Sequence, residues 1–101
     1  MVNTLIQKLM MSRTCSANDL DKLVHELVLA ANRMESGKPF HVRDLVEEIA
    51  VWRAWYLYWY IQNISVVLQL GKKFYKHPEL NATFIGYDPT PKDGAAMYVN
   101  Q

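Results

Sequence analysis

The chain holds a single cysteine, Cys15, so no disulfide can close within it. A reduced, cytoplasmic protein is the expectation that follows. Cys15 lies in the polar stretch 12–16 and reads as an unreactive linker thiol. Glycine and proline number four each in 101 residues, too few for a collagen-like, linker-like or low-complexity chain. Met1-Val2-Asn3 opens no basic stretch leading into an apolar core, as a secretory leader would. HExxH, CxxC and glycine-rich phosphate loops are absent. His25, His41 and His77 share no metal-ligand spacing, and Gly71-Lys72-Lys73 lacks the earlier glycine of a P-loop. Neither catalysis nor a cofactor is expected. A membrane span fails as well. Ile49 to Leu68 carries one formal charge, Arg53, but Gln62, Asn63 and Ser65 interrupt the stretch and its Trp and Tyr residues sit in mid-segment. An arginine inside a span would add roughly 2–3 kcal/mol on insertion scales.

What is present fits one small domain: half the residues are apolar, and twelve are aromatic. The formal charge of +1 conceals an uneven distribution. Residues 1–18 carry +2, residues 19–48 carry −3, residues 49–78 carry +4 with no acid, and residues 79–101 carry −2. A nearly neutral chain can therefore turn one basic surface toward an anionic partner.

Apolar spacing predicts the elements. Val2, Leu5, Ile6, Leu9 and Met10 suit a short helix over 3–11. Such a helix is unstable alone and must pack on its own domain or on a second copy of the chain. Leu20, Leu23, Val24, Leu27, Val28 and Ala31 give the clearest stripe, predicting a helix over 19–35 capped by Asn18 and stopped by Gly37 and Pro39. Residues 39–43 alternate as a short strand does. Asp44 is expected to open the next helix, with Leu45, Val46, Ile49 and Trp52 or Arg53 on one face. No glycine or proline falls between Phe40 and Leu70, so 44–77 could read as one long helix. The preferred reading places a turn near 59–63, with Asn63 capping a helix over 64–77 that Pro78 ends. Val67, Leu70 and Phe74 then face inward, while Ser65, Gln69, Lys72, Lys73 and Lys76 face outward. Residues 83–87 and 95–99 read as two strands of a hairpin, joined by a turn-rich loop, 88–94, whose tip projects.

Helix, short strand, helix, turn, helix, hairpin is an order that resembles the winged helix-turn-helix architecture. The segments Phe40-His41-Val42-Arg43-Asp44-Leu45 and Leu70-Gly71-Lys72-Lys73-Phe74 are similar to a pattern in a group of small bacterial and phage proteins, from which this chain departs by a long aromatic insertion. The expected fold class is α+β: an N-terminal helical segment and connector over 1–17, then a winged-helix domain over 18–101 of three main helices and a C-terminal hairpin. The resemblance implies a non-enzymatic transcriptional regulator that reads duplex DNA with the helix at 64–77 and a wing at 83–99. Carried over, it assigns Ser65 and Gln69 to base edges and Lys72, Lys73, Lys76 and the wing's Lys92 to phosphates, with Arg53 and His77 as further backbone contacts. So few phosphate contacts bind weakly, which favours a homodimer formed through the N-terminal segment or first helix.

A different class of function stays open. Six of the nine residues from Trp52 to Tyr60 are Trp or Tyr, and a helix turning 100° per residue cannot point all of them inward. Trp52, Trp55, Tyr56 and Trp59 are the candidate surface of a protein-interaction module. Stacking on unpaired bases is a third reading.

Overall fold

The computed structural model describes residues 2–88 and 96–101. Helix α1 spans Val2–Ser12 and α2 spans Ala17–Asn32. Strand β1, Phe40–His41, runs into a single 3₁₀ turn at Val42–Leu45. Helices α3, Ile49–Gln62, and α4, Ile64–Tyr75, follow, then strands β2, Ala82–Tyr87, and β3, Ala96–Asn100. Among the described residues the architecture is thus α+β, four α-helices with one three-stranded antiparallel sheet in the order β1-β3-β2. The sheet's helix-facing side brings Phe40, Phe84 and Tyr98 together. Phe74 of α4 meets Tyr98 edge-on at 5.0 Å between ring centroids.

Helix α1 buries Val2, Ile6 and Leu9 in the same core as α2 and α3, so its apolar stripe meets its own chain. Helix α2 starts two residues earlier than its apolar stripe suggested, and its cap is Ser16 instead of Asn18. Ser16 Oγ accepts from the Asp19 N–H at 3.1 Å while Asp19 Oδ2 accepts from the Ser16 N–H at 3.2 Å. This reciprocal box satisfies two backbone donors where Asn18 could satisfy one. The helix expected to open at Asp44 does not. Val46 is extended, at φ −101° and ψ 133°, and separates the 3₁₀ turn from α3. Glu47 consequently lies off any helix, and its carboxylate accepts from the Asn3 N–H at 3.0 Å at the start of α1.

Between α3 and α4 the chain breaks at Asn63, which is extended at φ −161° and ψ 92°. Its side-chain oxygen accepts from the Ser65 N–H at 3.2 Å and the Ser65 hydroxyl at 2.7 Å. A polar cap makes the break that glycine or proline would otherwise mark. In β2 a bulge sets Phe84 opposite Tyr98 and Gly86 opposite Met97, leaving Ile85 unpaired. Gly86 holds φ 118°, a conformation that favours glycine.

The end of α2 is held by the end of β3. The buried Asn100 side-chain amide donates to the carbonyls of Ala31 at 2.7 Å and Met34 at 2.8 Å, and the Asn100 backbone carbonyl accepts from the Gly37 N–H at 2.8 Å. Asn100→Ala would remove both side-chain donors and leave the Met34 carbonyl without a partner among the described residues, while the Ala31 carbonyl keeps the Met34 N–H at 3.0 Å. It is expected to destabilise the fold by about 1–3 kcal/mol, read as a lower urea midpoint at unchanged slope.

Candidate nucleic-acid interface

Helix α4 packs on both α2 and α3 through Val66, Val67, Leu70 and Phe74. At 100° per residue these four inward positions put Ser65, Gln69, Lys72 and Lys76 on the outward side, where all four are exposed. The helix the sequence predicts over 64–77 thus lies at Ile64–Tyr75, with its polar edge facing solvent. Ser65 is partly committed, since its hydroxyl proton goes to the Asn63 cap. Lys72 and Lys76 form no ion pair among the described residues.

Lys73 behaves differently. Its ammonium meets the Asp21 carboxylate of α2 at 2.6 Å, so a phosphate would have to compete with an acid of the same chain. The lysine and aspartate side chains are 38% and 61% exposed, and such a pair contributes about 0–1 kcal/mol. His77 is also engaged, its Nδ1 accepting from the Glu79 N–H at 3.1 Å. Arg53 of α3 is exposed and shares a groove with Lys72. Lys92 and the tip of the expected wing lie outside the described residues. The root of that loop is fixed: His41 Nε2 lies 3.1 Å from Asp88 Oδ2, and His41 Nδ1 lies 3.5 Å from Asp44 Oδ2.

The aromatic run divides as its helical geometry requires. Trp55 is fully buried and Trp52 nearly so, their rings 5.6 Å apart. Tyr56, Tyr58 and Trp59 are half-buried, and Tyr60 is exposed. Trp52 and Trp55 therefore belong to the core, which corrects their assignment to an exposed partner surface. Their bulk is what anchors α3. The large exposed apolar side chains on α3 are Ile49, Leu57 and Ile61, with Tyr60 beside them.

Beside the polar edge of α4 lies a groove of about 800 Å³, walled by α3, α4 and the sheet. The sequence does not reveal it, because Leu57 of α3, Leu68 and Tyr75 of α4 and Tyr87 of β2 come from three separate elements and meet only in the fold. A depression of about 530 Å³ between α1 and α2 carries charges of both signs, Lys8 and Lys22 against Asp21 and Glu26. It offers no net preference for an ion of either sign.

Tyr98 also lines the groove. Burial first, and then the neighbouring Tyr87 and Tyr75, push its phenol up from 10 to about 12. In the unfolded chain the phenol ionises near 10, whereas in the fold it keeps its proton until about 12. Its contribution is intact below pH 10 and is lost as pH rises through 12, amounting to about 2–3 kcal/mol. Between pH 9 and 12 the wild type should therefore lose more stability than Tyr98→Phe, by that amount at the top of the range. Equal slopes for the two proteins would contradict the burial of this hydroxyl. Burial, and secondarily Asp19, raises the Cys15 thiol as well, which keeps it protonated and unreactive at neutral pH.

Among the described residues no three His, Cys, Asp or Glu side chains gather as a metal site would require, and no helix is long and apolar enough to cross a membrane. Comparison of the chain with protein-family models, with curated proteins and with solved structures found no match.

Proposed function

We propose that the protein is a non-enzymatic winged-helix DNA-binding protein, a cytoplasmic transcriptional regulator that reads duplex DNA with α4 and uses the β2–β3 hairpin as its wing. The observation that carries this reading is the break at Asn63. It makes α4 a separate helix, seated across α2 and α3, whose Ser65, Gln69, Lys72 and Lys76 face solvent. The order α2, β1, α3, α4, β2, β3 and the sheet order β1-β3-β2 are consistent with that architecture. In this reading the lysines hold phosphates while Gln69 reaches base edges. Two basic contacts per protomer, or four counting Arg53 and Lys73, give modest affinity, so a homodimer on two half-sites is part of the proposal. Since α1 spends its stripe on its own core, the dimer contact would use another surface.

Fluorescence anisotropy of a labelled duplex tests the reading. Two to four phosphate contacts predict that one protomer's affinity falls roughly 10- to 150-fold between 50 and 200 mM salt, and the dimer's four to eight contacts predict a fall of roughly 150- to 20,000-fold. Absence of binding at 50 mM salt would reject it.

One observation favours a second reading, a protein-interaction module. Leu57, Ile61, Leu68 and Tyr87 are 59%, 70%, 64% and 70% exposed, more apolar surface on one side than a duplex contact uses. A partner protein retained after nuclease treatment of a lysate, with no duplex binding, would favour it over DNA recognition.

A further inference from the structure

We propose that the groove between α3, α4 and the sheet binds a small amphiphilic anion, a carboxylate on an aliphatic or aromatic body. At about 800 Å³ the groove falls within the range of small-molecule sites, roughly 300–1,000 Å³. Its walls are mainly apolar, with Trp52, Leu57, Leu68, Tyr75, Phe84 and Tyr87 among them. Three cations, Arg43, Arg53 and Lys72, also line it, and no carboxylate among its described lining residues balances them. None of the three forms an ion pair among the described residues. Arg43 is half-buried, and a cation held partly out of water gains most from an anionic partner.

Charge and lining together select the ligand. An inorganic anion would leave the apolar walls wet. An uncharged hydrocarbon would leave three cations unanswered, and a cationic amphiphile would be repelled. A carboxylate with an apolar body matches both features, the head at the cations and the body along Leu57, Leu68 and Tyr75.

Lys72 belongs both to the groove and to the outward edge of α4. A bound carboxylate would draw that lysine away from a phosphate, so the ligand should weaken DNA binding. This consequence alone rests on the DNA-binding reading.

The test is a titration of the full chain, without DNA, with laurate below its micellar concentration, followed by tryptophan emission and by amide shifts. Dodecanol, dodecyltrimethylammonium and acetate serve as comparisons. Laurate should saturate one site, and each comparison should bind at least tenfold more weakly. Arg53→Gln should weaken laurate binding about tenfold. Gly71→Leu should abolish it while the fold persists, because a Cβ at this groove position meets nothing within 4 Å. Dodecanol binding as tightly as laurate, or Gly71→Leu binding like the wild type, would overturn the proposal. Lys76→Gln separates the two readings: it should reduce duplex affinity and leave laurate affinity unchanged. Laurate binding in a protein that ignores duplex DNA would reject only the DNA reading. Laurate binding that leaves duplex affinity unchanged would reject the shared role of Lys72.

Discussion

Trp55→Ala is expected to lower the unfolding free energy by about 3–5 kcal/mol. The side chain is wholly buried and stacks on Trp52 at the centre of α3. Its removal leaves a cavity the size of an indole in a core that α1, α2 and the sheet share. A domain of this size has a total stability of about 5–15 kcal/mol, so the variant should stand near its unfolding threshold at 37 °C. Trp55→Phe should be far milder. The indole Nε1 of Trp55 is buried without an acceptor among the described residues, so phenylalanine loses volume but removes an unsatisfied donor. Urea unfolding of both variants checks the ordering. Equal and small effects would mean that α3 is not anchored through this ring.

The second large effect concerns binding. Lys72→Gln combined with Lys76→Gln should make the plot of log affinity for duplex DNA against log salt shallower by about 1.8 for each bound protomer, since each lost phosphate contact removes about 0.9. Extrapolated from 1 M salt, where the electrostatic gain vanishes, the loss per protomer is on the order of 200-fold at 50 mM and about 20-fold at 200 mM. The loss should be similar for every sequence tested, because phosphates carry no sequence information. Both lysines are exposed, so the unfolding midpoint should move little. Lys73→Gln should cost less than either, because its ammonium is already answered by Asp21. If the double variant binds like the wild type, α4 does not meet the phosphates.

The stripe from Leu20 to Ala31 was legible because a buried helix face imposes a 3.6-residue period, and the same six residues are buried in α2. Asn63 was legible as a cap although neither glycine nor proline marks the break, since a short polar side chain before Ile64 can take the first free N–H groups. Asn18 was the wrong cap because Asn, Ser and Asp all cap well in isolation, and only the Ser16–Asp19 reciprocity decides among them. The spacing of Leu45, Val46 and Ile49 imitated a helix face. In the structure Leu45 and Val46 reach the core from a 3₁₀ turn and an extended residue, while Ile49, at the start of α3, stays exposed.

The candidate site divides along the same line. Ser65, Gln69, Lys72 and Lys76 share one face through local geometry, so the sequence revealed them. The Lys73–Asp21 pair joins residues 52 positions apart and depends on how α4 lies across α2. The groove depends on three elements meeting, and its exposed leucines and tyrosines carry no periodic signature of their own.

The most direct test of the central claim, that the outward edge of α4 is the DNA-reading surface, is an amide-shift titration of isotope-labelled protein with a short duplex at low salt. Shifts should concentrate at Ser65, Gln69, Lys72 and Lys76 and collapse as salt is raised. Shifts confined to Leu57, Tyr60 and Ile61 of α3, or no shifts at all, would contradict it.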